Sequence, residues 1–487
     1  MQINYSKGGL FVNKEKLRIF LCGVAVGLVL LLLCGSALAA STTRQLTAIY
    51  NNIKIYVDGE LISPKDVNGK PTEPFIIEGS TYLPVRAVAE ALGKPVDWDG
   101  PNQSVYIGTK PQIIPQQPQQ SLQPLDIGTA KIAIITNDVT QNEEEYRSAQ
   151  ELVTKYGSDK IIHKTWPVKF PEEKEQMIRL LQQIADDKDV KALIINQAVQ
   201  WTLAALDELL ETRNDIFIAL VFPHEDPMDV AKRADLILLW DELNMGLTMA
   251  QQTKKLGAKT FVHLSFPRHL SHDLISARYG MIKDSCEKLG IDFVNYVVPD
   301  PISDIGIVSA RQVMLEEVPK LVAQYGKDTA FFCTNCNLQI PLIKAVVDSG
   351  AIYPQPCCPS PLHGFPLALG LISSENGWYS EESVFDKFGS VEKVNAEISR
   401  ILKAKGVSGR VSNWPAPPSM VSTNAAAEYA FKWIKGEVPK QGIDKAALAQ
   451  CIKGYAGVNA TLRDYDDVDG HFPNWQLFLL DYIIYGE

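Results

Sequence analysis

From Lys131 onward the chain alternates short apolar runs with amphipathic stretches, and no other feature restricts its fold as much. Runs at Lys131–Thr136, Lys160–Thr165, Lys191–Asn196, Ile216–Val221 and Ala234–Trp240 read as strands. Helical stretches fall between most of them, near Glu143–Tyr156, Glu172–Asp186 and Trp201–Thr212. Such alternation predicts a parallel sheet covered by helices on both faces. A second set follows: helix Asn244–Leu256, strand Lys259–Ser265, helix Ser271–Leu289, strand Asp292–Val298, helix Ala310–Tyr325 and strand Ala330–Cys333. Two sets predict an α/β chain with two lobes, each its own doubly wound sheet.

After Cys333 polar residues come at once. Thr334 to Asn337 form the turn into a helix whose apolar positions Ile340, Leu342, Ile343, Val346 and Val347 repeat near 3.6 and stop at Gly350. Ala351–Tyr353 begins another short strand. Ligands of open α/β sheets bind beyond the carboxyl ends of the strands. In the first lobe those ends deliver Asn137 and Asp138, Asn196 and Gln197, and His224 and Glu225. Ser265, Asn335 and Cys336 are the matching positions in the second lobe. Trp240 and Asp241 fall where the chain leaves the first lobe, and two readings stay open for them. Either the ring stacks on a sugar or nucleoside while the acid accepts hydroxyl hydrogen bonds, or Trp240 is interlobe core and Asp241 caps the helix beginning near Leu243. His224-Glu-Asp-Pro likewise reads as a functional loop or as an ordinary helix start.

The N-terminus carries Lys7, Lys14, Lys16 and Arg18, an apolar run from Ile19 to Leu33 and the small-residue sequence Ala37-Leu38-Ala39, which reads as a secretory signal over residues 1–39. An uncleaved anchor is the alternative, since the run is nearly long enough to span a bilayer; Cys34 follows a bulky Leu33, which argues against lipidation. Without those residues 43 Lys and Arg face 56 Asp and Glu, a net of about −13. That surface repels nucleic acid and anionic lipid. Residues 45–108 form a compact unit with strands at Ile53–Val57, Pro74–Ile77 and Val105–Ile107 and a helix from Pro84 to Leu92. A Pro- and Gln-rich linker, 109–127, separates it from the two-lobed domain, 128–487.

Six cysteines remain after the signal: Cys286, Cys333, Cys336, Cys357, Cys358 and Cys451. Six is far below the density of a disulfide scaffold, so ordinary packing must hold the core. Cys333 ends an apolar strand, where a buried thiol acts as a small hydrophobe. Cys336, Cys357, Cys358 and His363 admit several readings: packing or a disulfide, contact with a ligand, a four-ligand metal site or a redox pair. Adjacent cysteines strain a shared ion, so packing or a disulfide is the expectation, with no metal and no cofactor. His269 and His272 read as polar surface near a loop. No HExxH, P-loop, Gly-x-Ser-x-Gly or GxGxxG pattern occurs, which removes support for hydrolase, phosphotransfer and dinucleotide chemistry. Asp464-Tyr-Asp-Asp-Val-Asp-Gly lacks the twelfth-position Glu of a calcium loop and reads as a solvated turn; Asn413-Trp-Pro-Ala-Pro-Pro reads as an extended crossing.

Two resemblances add to this. Gly79-Ser-Thr-Tyr-Leu-Pro-Val-Arg-Ala-Val-Ala-Glu-Ala-Leu-Gly with Val96-Asp-Trp-Asp resembles the small α+β stalk domain of exported Gram-positive proteins named after the copper amine oxidase N-terminus. No His or Cys lies between residues 41 and 162, so copper has no soft or imidazole ligand there. Ala258-Lys-Thr-Phe-Val-His-Leu-Ser, Arg278-Tyr-Gly, Phe331-Phe-Cys-Thr-Asn-Cys and Asp348-Ser-Gly-Ala-Ile-Tyr-Pro resemble the type I periplasmic-binding-protein fold. With Cys357-Cys-Pro-Ser-Pro and Asn474-Trp-Gln-Leu-Phe-Leu-Leu-Asp-Tyr, the whole is similar to an uncharacterised bacterial family of such domains. The resemblance implies a basic ligand contact at Arg278; Asn335-Cys336 stands where relatives often carry Asn-Asp.

The resulting expectation is an exported, non-enzymatic solute-binding protein that closes on a small molecule in an interlobe cleft. Its partners would be that ligand, a membrane transporter or sensor, and the cell wall through the stalk. A cell-envelope interaction protein whose binding fold holds no ligand is the alternative.

Overall fold

The computed structural model describes residues 47–65, 70–77, 80–99, 104–108, 126–304, 306–373, 383–468 and 470–487. The expected secretory signal and almost all of the linker lie outside these residues. The chain divides into two compact units, Met1–Gln117 and Pro118–Glu487.

Among the described residues the first unit has three antiparallel hairpins and one helix. β1 (Ile55–Val57) pairs with β2 (Glu60–Ile62), β3 (Phe75–Ile77) with β4 (Ser80–Tyr82), and β5 (Val96–Asp99) with β6 (Ser104–Ile107). Asp58 and Gly59 both have positive φ, which gives the first hairpin the two-residue turn that matches strand twist. Helix Val85–Ala91 begins after Pro84, as expected. β2, β4 and β5 are partners that periodicity alone does not reveal, being only three or four residues long.

The second unit has the two-lobed type I periplasmic-binding-protein-like fold. In the first lobe β7 (Lys131–Thr136), β8 (Ile161–Thr165), β9 (Val190–Asn196), β10 (Phe217–Val221) and β11 (Leu236–Trp240) are parallel. β16 (Ala460–Asp467) and β17 (Gly470–Leu480) come from the far end of the chain, and the sheet runs β16-β17-β11-β10-β9-β7-β8. Alternate residues feed different cores. Ile132, Ile134, Ala192 and Ile194 pack beneath helices Glu143–Tyr156 and Pro418–Lys435, while Ala133, Ile135, Leu193 and Ile195 pack beneath Lys174–Asp186 and Thr202–Leu210. Burial on both faces explains why these strands read as continuous apolar runs.

The second lobe centres on β12 (Thr260–Ser265), flanked in parallel by β13 (Asp292–Val297) and β14 (Thr329–Cys333). Ile352 and Tyr353 extend it through parallel bridges to Ala330 and Val411. β15 (Ser412–Asn413) and β18 (Ile483–Ile484) pair at its margin, so the last residues return to this lobe after β17 completes the first. The expected helix over Ser271–Leu289 is present as Asp273–Lys288, and a separate turn of helix, Pro267–Leu270, precedes it across Ser271-His272. The acidic run is a solvated turn only at its end, where exposed Val468 follows β16. Its first four residues belong to β16, where Asp464 accepts a hydrogen bond from Gln476 (2.6 Å) and pairs with Lys445 (2.7 Å). Among the described residues no helix is long and apolar enough to cross a membrane.

Candidate functional site

Each lobe has a switch point where the strand order reverses. In the first it lies between β7 and β9, in the second between β12 and β14. Both are closed by side-chain hydrogen bonds just past the strand ends: Asn137 Nδ2 donates to Gln197 Oε1 (3.1 Å), and the hydroxyls of Ser265 and Thr334 are 2.9 Å apart. Between the lobes lies a cleft of about 700 Å³.

Strand ends build the first-lobe wall. β9 turns through Gln197 at φ 49° and β10 through Phe222 at φ 50°, and both side chains line the cleft. Left-handed backbone on non-glycine residues costs on the order of 1 kcal/mol each and persists where surrounding structure imposes it. Trp240, the last residue of β11, meets Phe222 edge-on with ring centroids 4.4 Å apart, and His224 and Pro223 continue this partly apolar wall.

The helix Glu143–Tyr156 supplies the acidic part of the site. Asn142 caps it, accepting from Glu145 N (3.3 Å) while its Nδ2 donates to Glu145 Oε1 (2.6 Å). The first turn holds three acids, Glu143, Glu144 and Glu145, and an ionised one suits the positive end of the helix dipole. Glu144 receives the Ser360 hydroxyl (2.9 Å) and the Ser419 hydroxyl (3.2 Å), which joins the first lobe to the second-lobe loop. Burial pushes the Glu144 carboxyl up, and it pushes Glu145 up to about 8, the nearby amides of Asn137 and Gln197 offsetting only part of the rise. Burial thus favours the protonated form of the Glu145 carboxyl.

Across the cleft stand Glu242, Cys336, Cys358, Ser360 and His363. Cys336 Sγ is 3.4 Å from Cys357 Sγ and 3.9 Å from Cys358 Sγ; the latter two are 4.0 Å apart, and His363 Nε2 is 3.6 Å from Cys357 Sγ. All six described cysteines are free thiols, so the disulfide alternative is not formed. Hydrogen bonds from Cys357 and Cys358 hold the Cys336 thiol far below the usual range, while Cys336 pushes both neighbours up.

Of the sequence-derived candidates, Gln197, His224, Trp240 and Cys336 line the cleft together. The others lie behind or beside it. Asn137 is buried against Gln197, and Asn196 donates to Ser419 O (3.3 Å) beneath helix Pro418–Lys435. Asp138 binds Thr140 N (2.9 Å) in its own turn, and Glu225 accepts from Trp201 N (3.2 Å) and Leu203 N (2.8 Å), capping a helix. Asp241, 2% exposed, caps through Asn244 N (3.0 Å) and pairs with Arg463. Ser265 is buried, Asn335 caps the 3₁₀ turn Cys336–Leu338 by accepting from Asn337 N (3.0 Å), and Arg278 is buried 3.6 Å from Glu242. Glu144, Glu145, Ser360 and Ser419 escape sequence reasoning. Acids after Asn142 read simply as a helix start, and nothing local shows that Ser360 and Ser419 converge on them.

Comparisons place the chain among known proteins. The model of the copper amine oxidase N-terminal domain matches residues 40–155, which hold neither His nor Cys, so the copper in that description has no such ligand here. Two uncharacterised proteins of Treponema pallidum (strain Nichols) are 30% and 29% identical over 169 and 176 residues, covering 35% of this chain and 78% and 80% of their own. A crystal structure from Clostridium difficile 630, described as a transcriptional regulator, shares the fold with a TM-score of 0.66 and 24% identity, covering 73% of this chain and 99% of its own. An ABC transporter periplasmic solute binding protein from Actinobacillus succinogenes 130z with bound D-allose is 15% identical with a TM-score of 0.37, over 66% of this chain and 99% of its own. The model of the family described as protein of unknown function (DUF3798) matches residues 130–412, more than half of the sequence, and the chain belongs to that family.

Proposed function

We propose that this chain is an exported, non-enzymatic solute-binding protein that closes on a small molecule between its lobes, for uptake or sensing. The observation that carries the reading is the cleft of about 700 Å³, with an aromatic wall from one lobe and polar groups from both. That volume falls in the range of ligand pockets. Phe222 and Trp240 offer a stacking edge for an apolar ring face, and Gln197 and His224 offer hydrogen bonds to hydroxyl or carbonyl groups. A hydroxylated ring compound such as a sugar or nucleoside suits that combination. Closure would be a hinge motion at the three points where the chain passes between lobes, after Trp240, after Asn413 and after Leu480. A membrane transporter or sensor would take the closed form, residues 1–39 would direct export, and residues 45–108 would serve as the stalk toward the cell wall.

The test is thermal denaturation against a panel of sugars, nucleosides and amino acids, because a ligand that binds only the folded state must raise stability. One chemical class should raise the melting temperature in wild type and fail to do so in Trp240→Ala. A panel with no shift at millimolar ligand would favour the alternative, an envelope interaction protein with a ligand-free fold.

A further inference from the structure

Four soft donors converge on one point of the second-lobe wall. The thiols of Cys336, Cys357 and Cys358 and the imidazole of His363 present donor atoms that all lie within 4.8 Å of one another. Zinc binds thiolate at about 2.3 Å and imidazole at about 2.0–2.1 Å, so a tetrahedral site sets its sulfurs about 3.8 Å apart and sulfur and nitrogen about 3.6 Å apart. The sulfur separations here are 3.4, 3.9 and 4.0 Å, and Cys357 Sγ to His363 Nε2 is 3.6 Å. A disulfide needs sulfurs at about 2.05 Å, and a packed core thiol needs no imidazole beside it. These four separations fit a tetrahedral site, and the two from His363 to Cys336 and Cys358 lie within 4.8 Å.

We propose that Cys336, Cys357, Cys358 and His363 bind one thiophilic metal ion of the zinc(II) class in the wall of the interlobe cleft. The backbone sets each ligand beforehand. Cys336 opens the 3₁₀ turn held by Asn335. Cys357 and Cys358 occupy a bend between Pro356 and Pro359 that holds their sulfurs 4.0 Å apart, close to the spacing of two ligands on one ion. His363 precedes Gly364, whose φ of 81° and tight approach to Ile343 and Gln339 fix the end of the loop. Four protein ligands make a closed site of the structural kind. Cys336, Cys358 and His363 also line the cleft, so the ion would brace the loop carrying Ser360 against the end of β14. Cys286, Cys333 and Cys451 are buried in apolar clusters and form no part of the group.

The test needs no solute, so it is independent of the solute-binding reading. The full chain, reduced, is incubated with zinc chloride, desalted and analysed for metal; a parallel sample receives cobalt(II) chloride for visible absorption. We expect about one zinc per chain and the intense thiolate charge-transfer and d–d bands of tetrahedral cobalt. Cys358→Ser and His363→Gln should each weaken zinc in chelator competition by more than the ~10–100-fold typical of outer-shell changes, whereas Cys451→Ala should bind as wild type does. Should Cys358→Ser lose its native circular dichroism, His363→Gln carries the comparison. No retained zinc in wild type, an octahedral cobalt spectrum, or equal loss in Cys451→Ala would overturn the proposal.

Discussion

Replacing Glu145 by Gln should remove part of the pH dependence of folding, and the size follows from its surroundings. The residue is 0% exposed, its Oε1 takes one hydrogen bond from Asn142, and its Oε2 has no donor. Burial lifts the carboxyl from 4.5 to about 8. At 1.36 kcal/mol per pKa unit that rise amounts to at most about 5 kcal/mol. Its direction is fixed by which state holds the proton. Below the unfolded value of 4.5 both states are protonated and nothing is lost; from there to about 8 the native state keeps a proton that the unfolded chain has released. Stability therefore falls as pH rises through that window and levels off above it. Gln mimics the protonated acid at every pH, so the variant should match wild type near pH 4.5 and exceed it progressively toward pH 8. Urea denaturation of both proteins across this range measures the difference. Glu151 is also pushed up by burial and gives wild type a slope of its own, which cancels in the comparison, whereas Glu144 raises Glu145 through its charge and so enters the measured difference. Parallel stability curves for the two proteins would refute the reasoning, since they would mean that Glu145 is ionised in the fold.

Trp240→Ala removes the edge contact with Phe222, worth about 0.5–1.5 kcal/mol, and should weaken any cleft ligand by about tenfold or more in calorimetry while the apo protein stays folded. Arg463→Ala leaves the buried Asp241 carboxylate with only Asn244 as donor; because Arg463 is 38% exposed, a loss of about 2 kcal/mol in urea denaturation is expected, below the 3–5 kcal/mol of a fully buried pair, with ligand affinity unchanged. Gly364→Ala places a Cβ 3.0 Å from Ile343 Cδ1 and 3.1 Å from Gln339 Cβ at a φ of 81°. It should cost about 2 kcal/mol, seen as a lower melting temperature, with left-handed strain alone accounting for about 1–2.

The lobed α/β fold was legible because the central strands β7, β9, β10, β12 and β14 are buried on both faces. Ile132 to Ile135 and Leu193 to Ile195 have no polar side to show, and the helices between them carry their own 3.6-residue period, so local chemistry already contains the layer order. Strand-end reasoning also reached Gln197, His224, Trp240 and Cys336, since in a parallel sheet the end of a run is visible as the point where apolar residues stop. It could not separate these from their neighbours. Asn196 and Gln197 are adjacent in the chain, yet one bonds to helix Pro418–Lys435 and the other turns into the cleft at positive φ.

What the sequence by itself determined, then, is the set of elements and the places where strands end, because both depend on contacts within a few residues. Tertiary structure alone decided the rest. β17 reaches back more than two hundred residues to lie beside β11, Ser360 and Ser419 meet Glu144, Arg463 neutralises Asp241, and three cysteines and a histidine close on one point. Each of these joins residues far apart in the chain. No local periodicity encodes which distant side chains share a cleft wall; that is set by the crossing of chain segments between two lobes and by the burial it imposes.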